Sequence, residues 1–200
     1  MLPSMATSMF SSDLLLLLFL CWATTSTLVT SSEQGNNNYL ISSHIVSHAA
    51  VEKQSHFRFY WHEWIRGSNQ TAVSIAQAPE FKKSLTNFSK VFVLDDPLRT
   101  GPDENSKLVG KVQGFDVAAG LYKLELLVAV NFVFTDGEYN GSTIAVFGHN
   151  EALTTVRELP IVGGSGLFRF ARGYVQLRTN LFDQKIGYAV LECNVFVNHY

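Results

Sequence analysis

The sequence predicts an all-β fold, an antiparallel barrel or sandwich of about eight short strands. Three observations carry that expectation. Residues alternate with the period of a strand, beginning with Phe57, Phe59, Trp61 and Glu63 on one face and Arg58, Tyr60, His62 and Trp64 on the other. Turn-forming residues separate most of the strand-like runs. No stretch carries the 3.6-residue apolar spacing of an amphipathic helix.

The runs follow in order. After His56–Trp64 come Thr71–Gln77, Lys90–Leu94, Lys107–Val117, Leu121–Phe134, Ser142–Phe147, Gly166–Leu177 and Gly187–Val197. Asp96-Pro97, Thr100-Gly101-Pro102, Asp136-Gly137, Asn140-Gly141 and Gly163-Gly164 supply the turns between them. Val156–Tyr174 reads as strand, glycine turn, strand, with Leu167, Phe168 and Phe170 interleaved with Arg169 and Arg172. The Gly163–Gly166 run has no following Lys and no strand-to-helix context, so a turn is preferred there to a phosphate loop. A closed barrel would dispose of exposed strand edges, but these residues alone do not choose barrel over sandwich.

A chain of 200 residues suits one domain after its leader. The formal charge is −2 and only 16% of residues are charged, so nothing is built to clamp a phosphate backbone and nucleic acid is not an expected partner. Fifteen Phe and seven Tyr fit an aromatic-lined interior and an ordinary β core equally well. No His/Cys cluster or two-His carboxylate set points to a metal, and no cofactor is expected. His44 and His48 have helical ligand spacing but no third ligand nearby, and read as solvated side chains.

The N-terminus reads as an address. Leu14–Ala23 is apolar and too short to span a bilayer, and small residues follow it. Residues 1–27 are therefore expected to be a secretory signal, although residues 1–13 lack the usual Lys or Arg. The mature chain is expected to start between Thr25 and Gln34, without a membrane anchor. Residues 28–54 read as a polar leader and 55–200 as the barrel. Cys21 would leave with the signal, and Cys193 reads as a buried apolar residue. Sequons at Asn69, Asn87 and Asn140 fit a secreted glycoprotein, and Asn140-Gly141 is equally a hairpin-turn signal.

The block Val156–Tyr174 resembles the signature of plant dirigent proteins. Phe59–Glu63, Val93–Leu98, Ser106–Gly114, Asn131–Gly137 and Tyr139–Thr143 extend that resemblance in order, over nearly all of Phe57–Tyr200. It implies an eight-stranded antiparallel β-barrel, commonly a homotrimer, secreted to the cell-wall space. It implies stereoselective coupling of phenoxy radicals, such as those of coniferyl alcohol, towards lignans, with laccase or peroxidase as the radical source. Some relatives instead cyclise a quinone methide, as in pterocarpan formation. A non-catalytic scaffold for lignin deposition is a further alternative.

The same resemblance nominates residues. An aspartate that ends the family's Phe-Tyr-x-His-Asp stretch is Glu63 here, an acid on a longer arm. A second family aspartate matches Asn150, which can orient a phenol but cannot donate a carboxyl proton. The family arginine matches Arg157, a fixed cation for a phenolate. A cavity tyrosine that follows Gln-Gly-Phe in some members is replaced by Asp116, which is expected to bind substrate. Phe59 and Trp61 share the Glu63 face and are expected to wall the site. One of Asp95 and Asp96 should face inward in a regular strand, and Asp95 is assigned to the substrate, although both could instead shape a turn before Pro97. Arg157 could also form a structural bridge with Glu158 or Asp96. These departures fit the dirigent subgroup that lacks paired cysteines.

Overall fold

The computed structural model describes residues 51–200. The expected signal, most of the expected leader, Cys21, His44 and His48 lie outside the described residues. The strands are β1 (Lys53–Trp64), β2 (Ala72–Ala76), β3 (Val91–Arg99), β4 (Leu108–Ala118), β5 (Glu125–Phe134), β6 (Thr143–Glu151), β7 (Arg157–Ser165), β8 (Arg172–Asp183) and β9 (Tyr188–His199). β1 thus begins within the segment read as leader.

All strands are antiparallel in the order β1-β9-β8-β7-β6-β5-β4-β3-β2, and β1 also pairs with β3. That last pairing, Tyr60 with Arg99 and Trp61 with Leu98, closes eight strands into a barrel. β2 lies beside the first half of β3, pairing Ala72 with Leu94 and Val73 with Val93. The free edge of β3 is therefore shared between β2 and β1. Closure satisfies backbone donors and acceptors that an open sheet would leave unpaired.

β3 runs straight through the expected Asp96-Pro97 turn. The Asp95 N–H donates to Thr71 O at 2.9 Å, towards the β2 side. Pro97, two residues on, directs its nitrogen to the same side. There β2 has ended and β1 has yet to pair, so the missing donor costs no ladder bond. The Gly163-Gly164 turn is likewise corrected. Both glycines lie inside β7, where the register against β6 slips between Ala145–Gly163 and Val146–Ile161. Gly163, at φ 154°, forms a bulge that re-aims the strand. The reversal comes later, in a 3-10 turn over Gly166–Phe168 and at Phe170, φ 62°.

Alternation places one set of side chains inside. The lower half of the barrel, where β1 starts, is filled by Phe59, Phe132, Phe134, Ile144, Leu159 and Val195, all buried. Phe59 meets Phe132 edge-to-face at 5.2 Å between centroids. Truncating Phe132 to Ala would cost roughly 3–5 kcal/mol. Cys193 is buried in this interior as a free thiol. The upper half, where β1, β4 and β6 end, is not filled.

Candidate active site

The unfilled upper half is a cavity of about 240 Å³. β1 supplies Trp61 and Glu63, β4 Asp116, β6 Asn150, β7 Arg157 and β8 Thr179. Leu126 and Val128 of β5, and Ala189 and Leu191 of β9, separate the polar groups into two sectors. One wall, from β1 and β4, carries Glu63 and Asp116, with Asp96 of β3 fully buried beside them. The facing wall, from β6, β7 and β8, carries Asn150, Arg157 and Thr179. The strand period that hides Arg58 and Tyr60 from the interior delivers these groups into it.

The acidic wall holds its protons tightly. Burial is the main cause for Glu63, and the neighbouring Asp96 and Asp116 add to it; its carboxyl is raised well above the usual range. Asp116 is pushed up to about 7 by burial and then by Asp96. Asp96 rises to about 6 through burial, although bonds from Thr71 and Trp61 hold it down. Trp61 Nε1–H donates to Asp96 Oδ2 at 2.6 Å. The Oδ1 atoms of both Asp96 and Asp116 are buried with no partner among the described residues.

The opposite wall carries a fixed cation. Arg157 is 5% exposed, and burial lowers its pKa, yet a guanidinium stays charged at any working pH. Its Nε donates to Asn150 Oδ1 at 3.3 Å, and Nη1 donates to Thr154 O at 3.3 Å and Thr179 Oγ1 at 3.0 Å. No carboxylate bridges it among the described residues, so neither Glu158 nor Asp96 takes the partnership considered from sequence. Oδ1 already accepts from Arg157, and the Asn150 NH2 group makes no bond among the described residues and can donate to a ligand.

Of the nominated residues, Glu63, Trp61, Asp116, Asn150 and Arg157 meet on this cavity. Asp95 does not. It is exposed on the outer surface, accepting from Lys111 Nζ at 3.0 Å and Gln113 Nε2 at 2.8 Å, and those bonds lower its pKa. The inward acid of that pair is Asp96, fully buried against Trp61. Phe59 also misses the cavity, because it lies one inward position deeper in the packed core. Asp96 was recoverable from the alternation Phe92, Leu94, Asp96, Leu98, and the turn reading at Pro97 obscured it. Thr179 carried no signal, since a lone Thr in a strand is ordinary.

The sequons all stand on exposed backbone outside the core. Asn87, at φ 55°, sits on the cavity rim. Asn140-Gly141 does turn the chain between β5 and β6, but Asn140 keeps φ −51° and only Gly141, at φ 82°, is left-handed. That is a type II arrangement rather than the two-residue hairpin turn expected. No group of three or more His, Cys, Asp or Glu among the described residues is arranged to hold a metal.

A closed antiparallel barrel with an unfilled upper half, where acids face a buried cation, defines a class of ligand-binding β-barrel. A family profile described as Dirigent-like protein matches residues 54–198. The chain is 50% identical over 149 residues to dirigent protein 7 of Arabidopsis thaliana, covering 74% of this chain and 78% of that one. It is 43% identical over 150 residues to pterocarpan synthase 1 of Glycine max, covering 74% and 81%. The solved structure of a pterocarpan synthase dirigent protein superposes with TM-score 0.71 at 40% identity, covering 74% of this chain and 92% of the other. The chain belongs to the dirigent family.

Proposed function

We propose that the barrel holds one phenolic ligand between its two walls and fixes the face on which a quinone methide closes to a ring. The observation that carries this reading is the unbridged opposition of Arg157 to the acids. A phenol loses its proton most readily beside an uncompensated cation, whereas a departing hydroxyl needs a neutral acid. The cavity offers one of each, across an apolar gap.

The step balances as follows. Glu63 donates its proton to a benzylic hydroxyl, the C–O bond breaks and water leaves. The phenolic oxygen conjugated to that carbon gives up its proton to solvent and, as the carbonyl oxygen of the methide, is held by Arg157 and Asn150. A second phenolic oxygen of the same ligand adds to the methide carbon on the exposed face. Its proton returns to Glu63, and the phenolate that the addition generates takes back a proton from solvent. The net change is an alcohol and a phenol converted to a cyclic ether and water. Orientation control of this kind needs no redox centre.

A cavity of about 240 Å³ lies below the usual range of roughly 300–1,000 Å³ for drug-sized ligands. That favours one ligand over two separately held radicals. Stereoselective coupling of phenoxy radicals towards lignans is the second reading, supported by the apolar aromatic lining around Trp61 and Phe92. We propose further that the chain is secreted to the cell wall, glycosylated at its sequons and assembled as a homotrimer, with laccase or peroxidase supplying radicals if coupling is its reaction.

An oxidase-free incubation with an isoflavan-type benzylic alcohol tests the first reading, analysed by chiral chromatography. Optically enriched ring-closed ether supports it. Enrichment seen only with coniferyl alcohol and added laccase transfers the assignment to radical coupling. Racemic product from every phenol, with and without oxidase, overturns both.

A further inference from the structure

Asp116 is 6% exposed, lines the cavity, and keeps Oδ1 without a hydrogen-bond partner among the described residues. Leaving such a group unpaired costs roughly 1–3 kcal/mol. Its immediate surroundings offer no relief. The residues opposite it on the neighbouring strands are Phe92 and Val128. Lys111 and Gln113, on its own strand, point outward to Asp95. Arg157 stands on the far wall, bonded through Nε and Nη1 to Asn150, Thr154 and Thr179, and forms no ion pair with Asp116. An alanine would pack this position without the penalty. A ligand atom placed there would remove the penalty.

The chemistry of that atom is constrained. An anion meets the carboxyls of Glu63 and Asp116, with Asp96 buried beside them. An ammonium satisfies only the ionised acid, and it enters a cavity whose other wall is a guanidinium. A hydroxyl donates to the carboxylate and accepts from the carboxylic acid, so it fits Asp116 in either protonation state. The apolar residues around it, Phe92, Ala118, Leu126 and Val128, suit the face of an aromatic ring.

We propose that Asp116 is a specificity-determining residue that binds a hydroxyl on the ring remote from Arg157, so that the cavity selects phenols hydroxylated at both ends. This rests on the reading of the cavity as a phenol site. Selection works because removing the hydroxyl leaves the buried carboxyl unpaired again.

Equilibrium binding without turnover tests it. The probes are 4′,7-dihydroxyisoflavone and the two monohydroxy compounds, 7-hydroxyisoflavone and 4′-hydroxyisoflavone, followed by calorimetry. The wild-type protein is expected to bind the dihydroxy compound at least about tenfold more tightly than either monohydroxy compound. Asp116→Leu abolishes the preference over one monohydroxy compound and keeps the preference over the other, whose missing hydroxyl belongs at Arg157. Asp116→Val carries the same expectation should the Leu variant fold poorly, and the near-isosteric Asp116→Asn retains the preference to within a few-fold. Both preferences persisting in the apolar variants, or neither existing in the wild type, overturns the assignment of Asp116 while leaving the phenol site standing. Absence of binding by all three compounds overturns the phenol site and this inference together.

Discussion

Arg157 and Asn150 are joined by a single hydrogen bond, guanidinium Nε to amide Oδ1 at 3.3 Å, and that neutral partner leaves the buried cation without a counter-ion. The relationship inverts a simple expectation. An aspartate at position 150 would add an acid to the cavity, but it would also sit against Arg157 and pair with it. The asparagine keeps the cation's field free for a ligand.

Asn150→Asp is therefore expected to weaken binding of a phenolate-forming ligand by about tenfold, despite restoring a carboxyl. Calorimetric titration with one phenol, wild type against variant, checks it. Tighter binding in the variant would show that Arg157 is not the phenolate partner.

Glu63→Gln should reduce ring closure by roughly 10²–10⁴-fold while ligand affinity changes little, because the amide keeps the shape but has no acid proton to give. Glu63→Asp should retain part of the rate. Single-turnover kinetics paired with binding separates the two effects, and loss of affinity without loss of rate would remove Glu63 from the acid role.

Stability should fall as pH rises. Asp96 and Asp116, raised to about 6 and about 7, hold protons more tightly folded than in the unfolded chain, where an aspartate titrates near about 4. Their contribution is complete below about pH 4 and is lost as pH climbs through 6 and 7, on the order of a few kcal/mol in all. The melting temperature is expected to decline across that window. Asp116→Asn should remove the upper part of the decline and exceed the wild type in stability at pH 8. A wild-type profile flat from pH 4 to pH 8 in scanning calorimetry would contradict this.

Trp61→Phe removes the donor that Asp96 Oδ2 receives at 2.6 Å, when Oδ1 is already unpartnered. The expected loss is about 1–3 kcal/mol. Adding Asp96→Asn should return most of it, so the pair is strongly non-additive. Chemical denaturation of the two single variants and the double variant measures this. Additive losses would show that the contact does not tune the acid.

Much of this arrangement was legible before any coordinates. Strand alternation brought Glu63 to the inner face, because a period of two leaves little freedom once the strand is recognised, and the family resemblance nominated Asp116, Asn150 and Arg157. The errors arose where a local signal and a tertiary context disagree. Asp96-Pro97 has the chemistry of a turn, and only the handover from β2 to β1 along β3 makes a proline harmless within a strand. Of the two acids before Pro97, Asp95 was assigned to the substrate, and the strand places Asp96 inward instead. Gly163-Gly164 carries the same ambiguity, since a bulge and a turn both call for left-handed or crowded backbone. Phe59 was assigned to the correct face but to the wrong depth, which alternation does not encode.

The most direct test uses a racemic benzylic alcohol whose only stereocentre is the carbinol carbon, with a second phenol on the same molecule, the wild-type protein and no oxidase. Passage through a planar methide erases the starting configuration. The account predicts that both enantiomers of the alcohol are consumed and one enantiomer of the cyclic ether accumulates on chiral chromatography. A racemic ether, or an ether whose handedness tracks that of the alcohol consumed, would contradict facial control between the acidic wall and Arg157.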